Sequence, residues 1–221
     1  MGLIRKLFGL IFLSFMSVAV SVHAQTGEAS GNNAQGGMQK EWAEVKGFRS
    51  ARFGMRESEV LKAIYKDFKI SKSNIKRQKH PTEKTVSLGV TVTELLPESG
   101  KTGIFYVFGY KSKKLIQVNV IWDRTITKNL NPPGIVNAAN SLRSYFMKKR
   151  YKTDSFVANA KLNDEAVLVF RGQDKRDRMI LLILTNPQKE GTLGNENISL
   201  RLSYIEKADS PDVYGIKEGV F

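Results

Sequence analysis

Ile104-Phe105-Tyr106-Val107-Phe108-Gly109-Tyr110-Lys111-Ser112-Lys113-Lys114-Leu115-Ile116-Gln117-Val118-Asn119-Val120-Ile121-Trp122 is the stretch on which the fold turns. Residues 104–110 are rich in β-branched and aromatic side chains, and Ile116, Val118, Val120 and Trp122 alternate with Gln117, Asn119 and Ile121. Two strands are therefore expected, joined as a hairpin through Lys111-Ser112-Lys113-Lys114. Pairing Tyr110 with Leu115 across that loop sets a register, and register decides which side chains share a face. In this register Phe105, Val107, Ile116, Val118, Val120 and Trp122 form one apolar face, suited to lie under a helix. The opposite face carries Ile104, Tyr106, Phe108, Tyr110, Gln117 and Asn119, and Thr91 and Thr93 join it if the preceding strand aligns. Large aromatics among small amides can mark an interaction surface. Tyr106, Phe108, Tyr110, Gln117 and Asn119 are therefore candidate protein-binding residues. The alternative is that the second half of the chain, or the segment with Trp42, covers this face.

Working outward, Val86, Leu88, Val90 and Val92 alternate with Ser87, Gly89, Thr91 and Thr93, as in a strand. Before it, Val60, Ile64 and Phe68 fall four apart with Leu61 and Tyr65 beside them, which predicts a helix over about 56–68. Downstream, Asn131-Pro132-Pro133-Gly134 breaks the chain. Ile135, Ala139, Leu142 and Phe146 predict a second helix over about 135–149, with Lys148, Lys149 and Arg150 suiting its C-terminal end. Strands are expected near 156–162, 166–171, 178–184 and 198–205, with 172–177 closing the central hairpin. Met179-Ile180-Leu181-Leu182-Ile183-Leu184 is apolar on both faces and needs cover on both sides. The expected fold class is α+β, built as two tandem helix-then-antiparallel-β-meander blocks, α-β-β-β twice. They occupy residues 42–131 and 132–207, and residues 208–221, with Pro211, Gly215 and Gly219, read as a loose C-terminal tail.

Across its 221 residues the chain carries 35 Lys and Arg against 21 Asp and Glu, a formal net charge of +14, and no cysteine. The missing thiols exclude a disulfide scaffold, a thiolate metal site, a cysteine nucleophile and a lipid-modified lipoprotein. Residues 1–24 read as a secretory signal peptide: Arg5 and Lys6, an apolar run from Leu7 to Val20, then Val22-His23-Ala24 as the cleavage site. The run is short for a span of about 20 residues, which argues against a retained anchor. Cleavage would remove two bases and no acid, lowering the charge from +14 to +12. The expected location is the periplasm, with no membrane-spanning segment after cleavage. Residues 25–41, rich in Gly, Asn, Gln and Ser, read as a flexible linker.

Phe48-Arg49-Ser50-Ala51-Arg52-Phe53-Gly54-Met55-Arg56-Glu57-Ser58-Glu59-Val60 resembles the F-G-M-x-x-x-E-V opening of the first helix in exported bacterial helix-plus-three-strand modules. These are the modules of the β-lactamase-inhibitor-protein-like and small outer-membrane assembly lipoprotein fold group, and the doubled order is similar to the tandem form. The resemblance implies a module that binds other proteins and does no chemistry, with the aromatic sheet face as its binding surface. Arg56 stands where such modules often place a Thr or Ser cap, so a hydroxyl–Glu59 capping box is not expected.

Catalytic constellations are not found. Ser73-Asn74-Ile75-Lys76 matches S-x-x-K and Lys101-Thr102-Gly103 matches K-T-G, but they lie too close together for a penicillin-binding enzyme, with no S-x-N between them. His80 is the one histidine after residue 24, too few for a zinc site or a supported triad. Asp174 and Asp177, beside Lys175 and Arg176, read as a charged hairpin tip. No phosphate loop appears, so no enzyme, cofactor or metal is expected. The remaining candidates are basic: Lys76, Arg77 and Lys79 in a linker with Lys69, Lys72 and Lys84, and Lys148, Lys149 and Arg150 after the second helix. A further group, Lys111, Lys113 and Lys114, sits at the hairpin loop. In an exported protein the available polyanions are lipopolysaccharide, anionic head groups and acidic proteins; nucleic acid is disfavoured by compartment and by the lack of interleaved aromatics. The competing account of these lysines is solubility. The expected function is a non-enzymatic interaction module that holds a periplasmic protein or peptide on its aromatic sheet face. The alternative is a polyanion-binding envelope protein.

Overall fold

The computed structural model describes residues 40–186 and 197–215. The expected signal peptide (1–24), the linker up to residue 39 and the end of the tail (216–221) lie outside the described residues. The chain order is β1 (Gly47–Phe48), β2 (Ala51–Arg52), α1 (Glu57–Phe68), β3 (Lys76–Lys79), β4 (Val86–Val92), β5 (Thr102–Phe108), β6 (Leu115–Trp122), α2 (Pro132–Phe146), β7 (Val157–Asn163), β8 (Ala166–Gln173), β9 (Met179–Thr185) and β10 (Ser199–Ile205). One-turn 3-10 segments, Lys72–Asn74 and Thr153–Ser155, precede β3 and β7. β1 and β2 form a small ribbon, and the other eight strands form one antiparallel sheet in the order β3-β4-β5-β6-β10-β9-β8-β7. Two four-strand meanders meet by their last strands, with Gln117–Trp122 of β6 paired to Leu200–Ile205 of β10.

This overturns the expected fold class of two α-β-β-β blocks. The described chain is mostly one large antiparallel sheet with two α-helices, and so is more β-rich than that arrangement. Two physical causes explain the difference. β3 is Lys-Arg-Gln-Lys, an edge strand with no apolar residue, so it carries no period-two signal and reads as a linker. β6 and β10 carry buried residues on both faces and have no free edge, which fuses the meanders into one sheet.

Both helices pack on one side of that sheet. α1 buries Val60, Ala63 and Ile64, and α2 buries Ile135, Ala138, Ala139 and Phe146. These join Tyr106, Phe108, Val118, Val120, Trp122, Leu182, Leu200 and Leu202 in a continuous core. At the start of α1 the Glu59 carboxylate accepts the Arg56 N–H at 2.7 Å, one half of a capping box. The reciprocal half needs an acceptor that an arginine side chain lacks. Glu57 and Glu59 also place negative charge at the helix N-terminus, where the dipole favours it.

The central hairpin corrects the candidate binding face. Gly109 N–H donates to Lys114 O at 2.9 Å, and Phe108 pairs with Leu115. The ladder then skips Ile116, so Val107 faces Gln117 and Tyr106 faces Val118. This bulge shifts β5 by one residue from the expected register, and a one-residue slip exchanges the faces. Ile104, Tyr106 and Phe108 lie with Val118, Val120 and Trp122 on the helix side, while Phe105 and Val107 lie with Gln117 and Asn119 on the far side. Tyr106 and Phe108 are 0% and 2% exposed, core residues rather than a binding surface. Asn119 is buried and Gln117 half-buried on the other face, and Tyr110 lies beyond β5 in the turn. The expected five-residue face does not exist as a unit.

The turn begins at Gly109 because residues from beyond β10 dock there. A Cβ on Gly109 would lie 2.2 Å from Asp212 Oδ2. Asp212 O accepts the Tyr110 N–H at 2.8 Å, and its carboxylate accepts the N–H groups of Lys111 (2.9 Å) and Ser112 (2.8 Å). Tyr214 N–H donates to Glu83 O at 2.8 Å, and its ring meets Tyr110 edge-on at 5.4 Å. Residues 210–214, expected as part of a loose tail, are a clamp on this hairpin.

Candidate functional site

β5 and β8 run in the same direction, so the β5–β6 and β8–β9 turns lie at the same end of the sheet. At that end the β8–β9 turn meets residues 41–46. Trp42 makes a parallel bridge with Arg150, through Ala43 N–H to Arg150 O at 2.8 Å and Arg150 N–H to Glu41 O at 2.8 Å. Asp174, 4% exposed, ties this strap to the turn. Its carboxylate accepts Val45 N–H at 2.8 Å, Arg176 N–H at 2.8 Å and Arg178 N–H at 3.1 Å. Three backbone donors are thereby satisfied by one buried carboxylate.

A cleft of about 530 Å³ opens beside this anchor. Five cations line it, Lys46, Lys149, Lys175, Arg176 and Arg178, against three acids, Glu41, Glu44 and Asp174. Asp174 is committed to backbone amides. Glu41 pairs with Lys149 at 2.6 Å and Glu44 with Lys46. Hydrogen bonds from these lysines hold both glutamates below their ordinary range, and Glu41 raises Lys149 in turn. Two cations of the turn, Lys175 and Arg178, have aromatic or carbonyl neighbours instead, while Arg176 lies near Glu44. Lys175 Nζ lies 4.8 Å from the Trp42 ring centre, and the Arg150 guanidinium lies 4.5 Å from the same ring. Arg178 donates to Val45 O at 3.4 Å and lies 5.6 Å over the Phe53 ring. Cation–π contacts hold a charge in place without neutralising it. The cleft can therefore receive an anion.

The structure distributes the sequence-predicted basic residues unequally. Lys149 lines the cleft, Arg150 stacks on its tryptophan, and Lys148 is exposed on the turn after α2. Lys76, Arg77 and Lys79 lie on edge strand β3, with Arg77 Nε 3.1 Å from Glu57 Oε1. Six strand spacings separate β3 from β8, roughly 30 Å, so the two clusters do not form one surface. Trp42, Lys175, Arg176 and Arg178 were missed because the contact that assembles them, Val45 with Asp174, spans 129 residues. The available signal was an aspartate closing a cation-rich turn, read only as a charged hairpin tip. Comparison of the chain with protein-family models, with curated proteins and with solved structures returns no match.

Proposed function

We propose that this protein is a non-enzymatic, exported binding module whose Trp42 cleft takes the anionic groups of an envelope component, lipopolysaccharide or anionic lipid head groups. The observation that carries this reading is Trp42 contacted by Arg150 and Lys175 inside a cleft where cations from three distant segments converge. Positive charge that local carboxylates do not fully neutralise favours a polyanion. A peptide held on the Tyr106–Phe108 face is not supported, because both rings are core. The opening phrase around Phe53-Gly54-Met55, with its likeness to binding modules that do no chemistry, points the same way on catalysis.

The test is sedimentation with vesicles containing phosphatidylglycerol and with purified lipopolysaccharide, across a salt series. Wild type binds at low salt, and binding weakens about tenfold or more as salt reaches physiological strength. Lys175→Gln with Arg176→Gln weakens binding by about as much, while Lys76→Gln with Lys79→Gln leaves it within twofold. Equal loss in both pairs would show diffuse surface charge and end the assignment to the cleft.

A further inference from the structure

Charge and exposed apolar side chains are shared unequally between the two ends of the sheet. The strand-to-strand turns at the cleft end, 80–85, 109–114 and 174–178, hold seven bases and three acids. Among the described residues, those at the opposite end, 93–101 and 164–165, hold one base and four acids. The chain leaving α2 adds Lys148, Lys149 and Arg150 to the cleft end. Three large apolar side chains are exposed there as well: Tyr145 at 65%, Phe156 at 41% and Met147 at 38%. A series of ring contacts holds the two aromatics. Tyr145 lies 5.3 Å from Phe146, Phe146 lies 5.4 Å from Phe170, and Phe170 lies 5.8 Å from Phe156. Phe146 and Phe170 are core residues, so both exposed rings stand on a packed base. Met147 caps the C-terminus of α2, and its carbonyl accepts Lys40 Nζ at 3.0 Å. The patch is continuous with the cleft: after Glu41, Tyr145 is the second group that raises Lys149, a lysine of the cleft lining.

We propose that this end of the molecule docks on an anionic phospholipid bilayer, with Tyr145, Met147 and Phe156 entering the interface while the surrounding bases meet the head-group phosphates. The proposal rests on the anion-binding reading of the cleft and deepens it by naming a membrane surface as the partner. Charge complementarity selects the occupant: bases spread over several turns at one end match a continuous layer of phosphates better than a single acidic segment. The attraction fades within a Debye length, so bases gathered at the docking end count and those on the distant β3 edge count little. A soluble polyanion would engage the same bases and leave the three apolar side chains in water. A bilayer also offers the boundary between head groups and acyl chains, where aromatic rings are favoured. Lysine and arginine stems can lie along apolar surface and still deliver their charges to the phosphates. Apolar burial and electrostatic attraction then add, as they do for peripheral segments that lie in the membrane interface.

The experiment compares two probes on the purified protein: vesicles of equimolar phosphatidylglycerol and phosphatidylcholine, and soluble inositol hexakisphosphate, which has phosphates and no acyl chain. The double variant Tyr145→Ser with Phe156→Ser, both at exposed positions, binds the vesicles about tenfold more weakly and the soluble probe within about twofold of wild type. A second variant, Tyr145→Trp, keeps an aromatic at the interface and reports on its depth. Its emission is quenched by phosphatidylglycerol brominated on the acyl chains, beyond any quenching of wild type. Vesicle affinity unchanged in the double variant, with no added quenching in Tyr145→Trp, would reduce the contact to head groups alone and overturn the docking face while sparing the cleft. Binding of the soluble probe without binding of vesicles would do the same. Equal loss on both probes would show that the two rings serve the fold of the cleft, and would also overturn it. Binding of neither probe would remove the anion-binding reading together with this one.

Discussion

The β5–β6 and β8–β9 turns lie at the same end of the sheet, and each is held by one aspartate, from opposite directions. In β8–β9 the aspartate belongs to the turn: Asp174 reaches out and captures Val45 of the N-terminal strap. In β5–β6 it belongs to the incoming segment: Asp212 reaches in and captures the amides of Lys111 and Ser112. The first carboxylate is buried, and the second sits at an exposed turn where water can replace it. Buried hydrogen bonds to a charged acceptor are the costlier to lose, so the two clamps differ in energy although they look alike. They differ in consequence too. Asp174 assembles the Trp42 cleft, whereas Asp212 holds a segment in place.

Asp174→Ala is the sharpest way to break the comparison. It leaves three amide donors without their acceptor, one of them the tie to the strap. The expected loss is about 3 kcal/mol in denaturant unfolding, with faster hydrogen exchange at Val45 and weaker anion binding by the cleft. A loss below about 1 kcal/mol with Val45 still protected would mean that the Trp42–Arg150 bridge holds the strap alone.

Asp212→Ala is the matched change on the other turn, with an expected loss of about 1 kcal/mol because solvent reaches the freed amides. It also carries a pH signature. Burial works to raise the Asp212 pKa, but hydrogen bonds from Ser112 and from the Lys111 and Ser112 amides outweigh it, and the carboxyl lies below its usual value. A depressed folded-state pKa adds stability above the unfolded value of about 3.9, and that stability is lost as pH falls through the lower folded value. As pH falls below about 4, wild type therefore loses the advantage that it holds over Asp212→Ala. Stability curves that stay parallel through that window would remove the clamp from the account.

What the sequence made readable follows the same divide between local and distant causes. α1 and α2 were visible because Val60, Ile64, Ile135, Ala139 and Phe146 repeat at helical spacing, a signal that each helix carries itself. β4 to β10 announced themselves by alternation or by apolar runs, whereas β3 did not, since an exposed edge strand of three cations and a glutamine needs no apolar face. The register of β5 on β6 was out of reach for a different reason. Local pairing favoured Tyr110 with Leu115, but the Asp212 carbonyl, distant in sequence, accepts the Tyr110 N–H itself and so withdraws it from the ladder. The cleft was hidden likewise: of its five lining cations only Lys149 belongs to the run after α2, and the other four waited on Asp174 and Val45.

The smallest expected effect tests the corrected register most directly. Tyr106 of β5 and Phe170 of β8 are both fully buried aromatics on the helix side of the sheet. Phe170 sits among Phe146, Tyr151 and Phe156, with ring centres 5.1 to 5.8 Å away, and has no polar atom to satisfy. Tyr106 carries a hydroxyl that is buried and has no hydrogen-bond partner. Removing an unpartnered hydroxyl orphans nothing else, so its desolvation penalty is recovered at the cost of a small void. Tyr106→Phe should therefore leave stability unchanged or raise it by up to about 1 kcal/mol, read as a melting temperature higher by about 2–4 °C. On an exposed face the same change would be silent for stability but could alter binding. A destabilisation above about 1 kcal/mol would mean that the hydroxyl has a partner, and that the interior around β5 is arranged otherwise than this register requires.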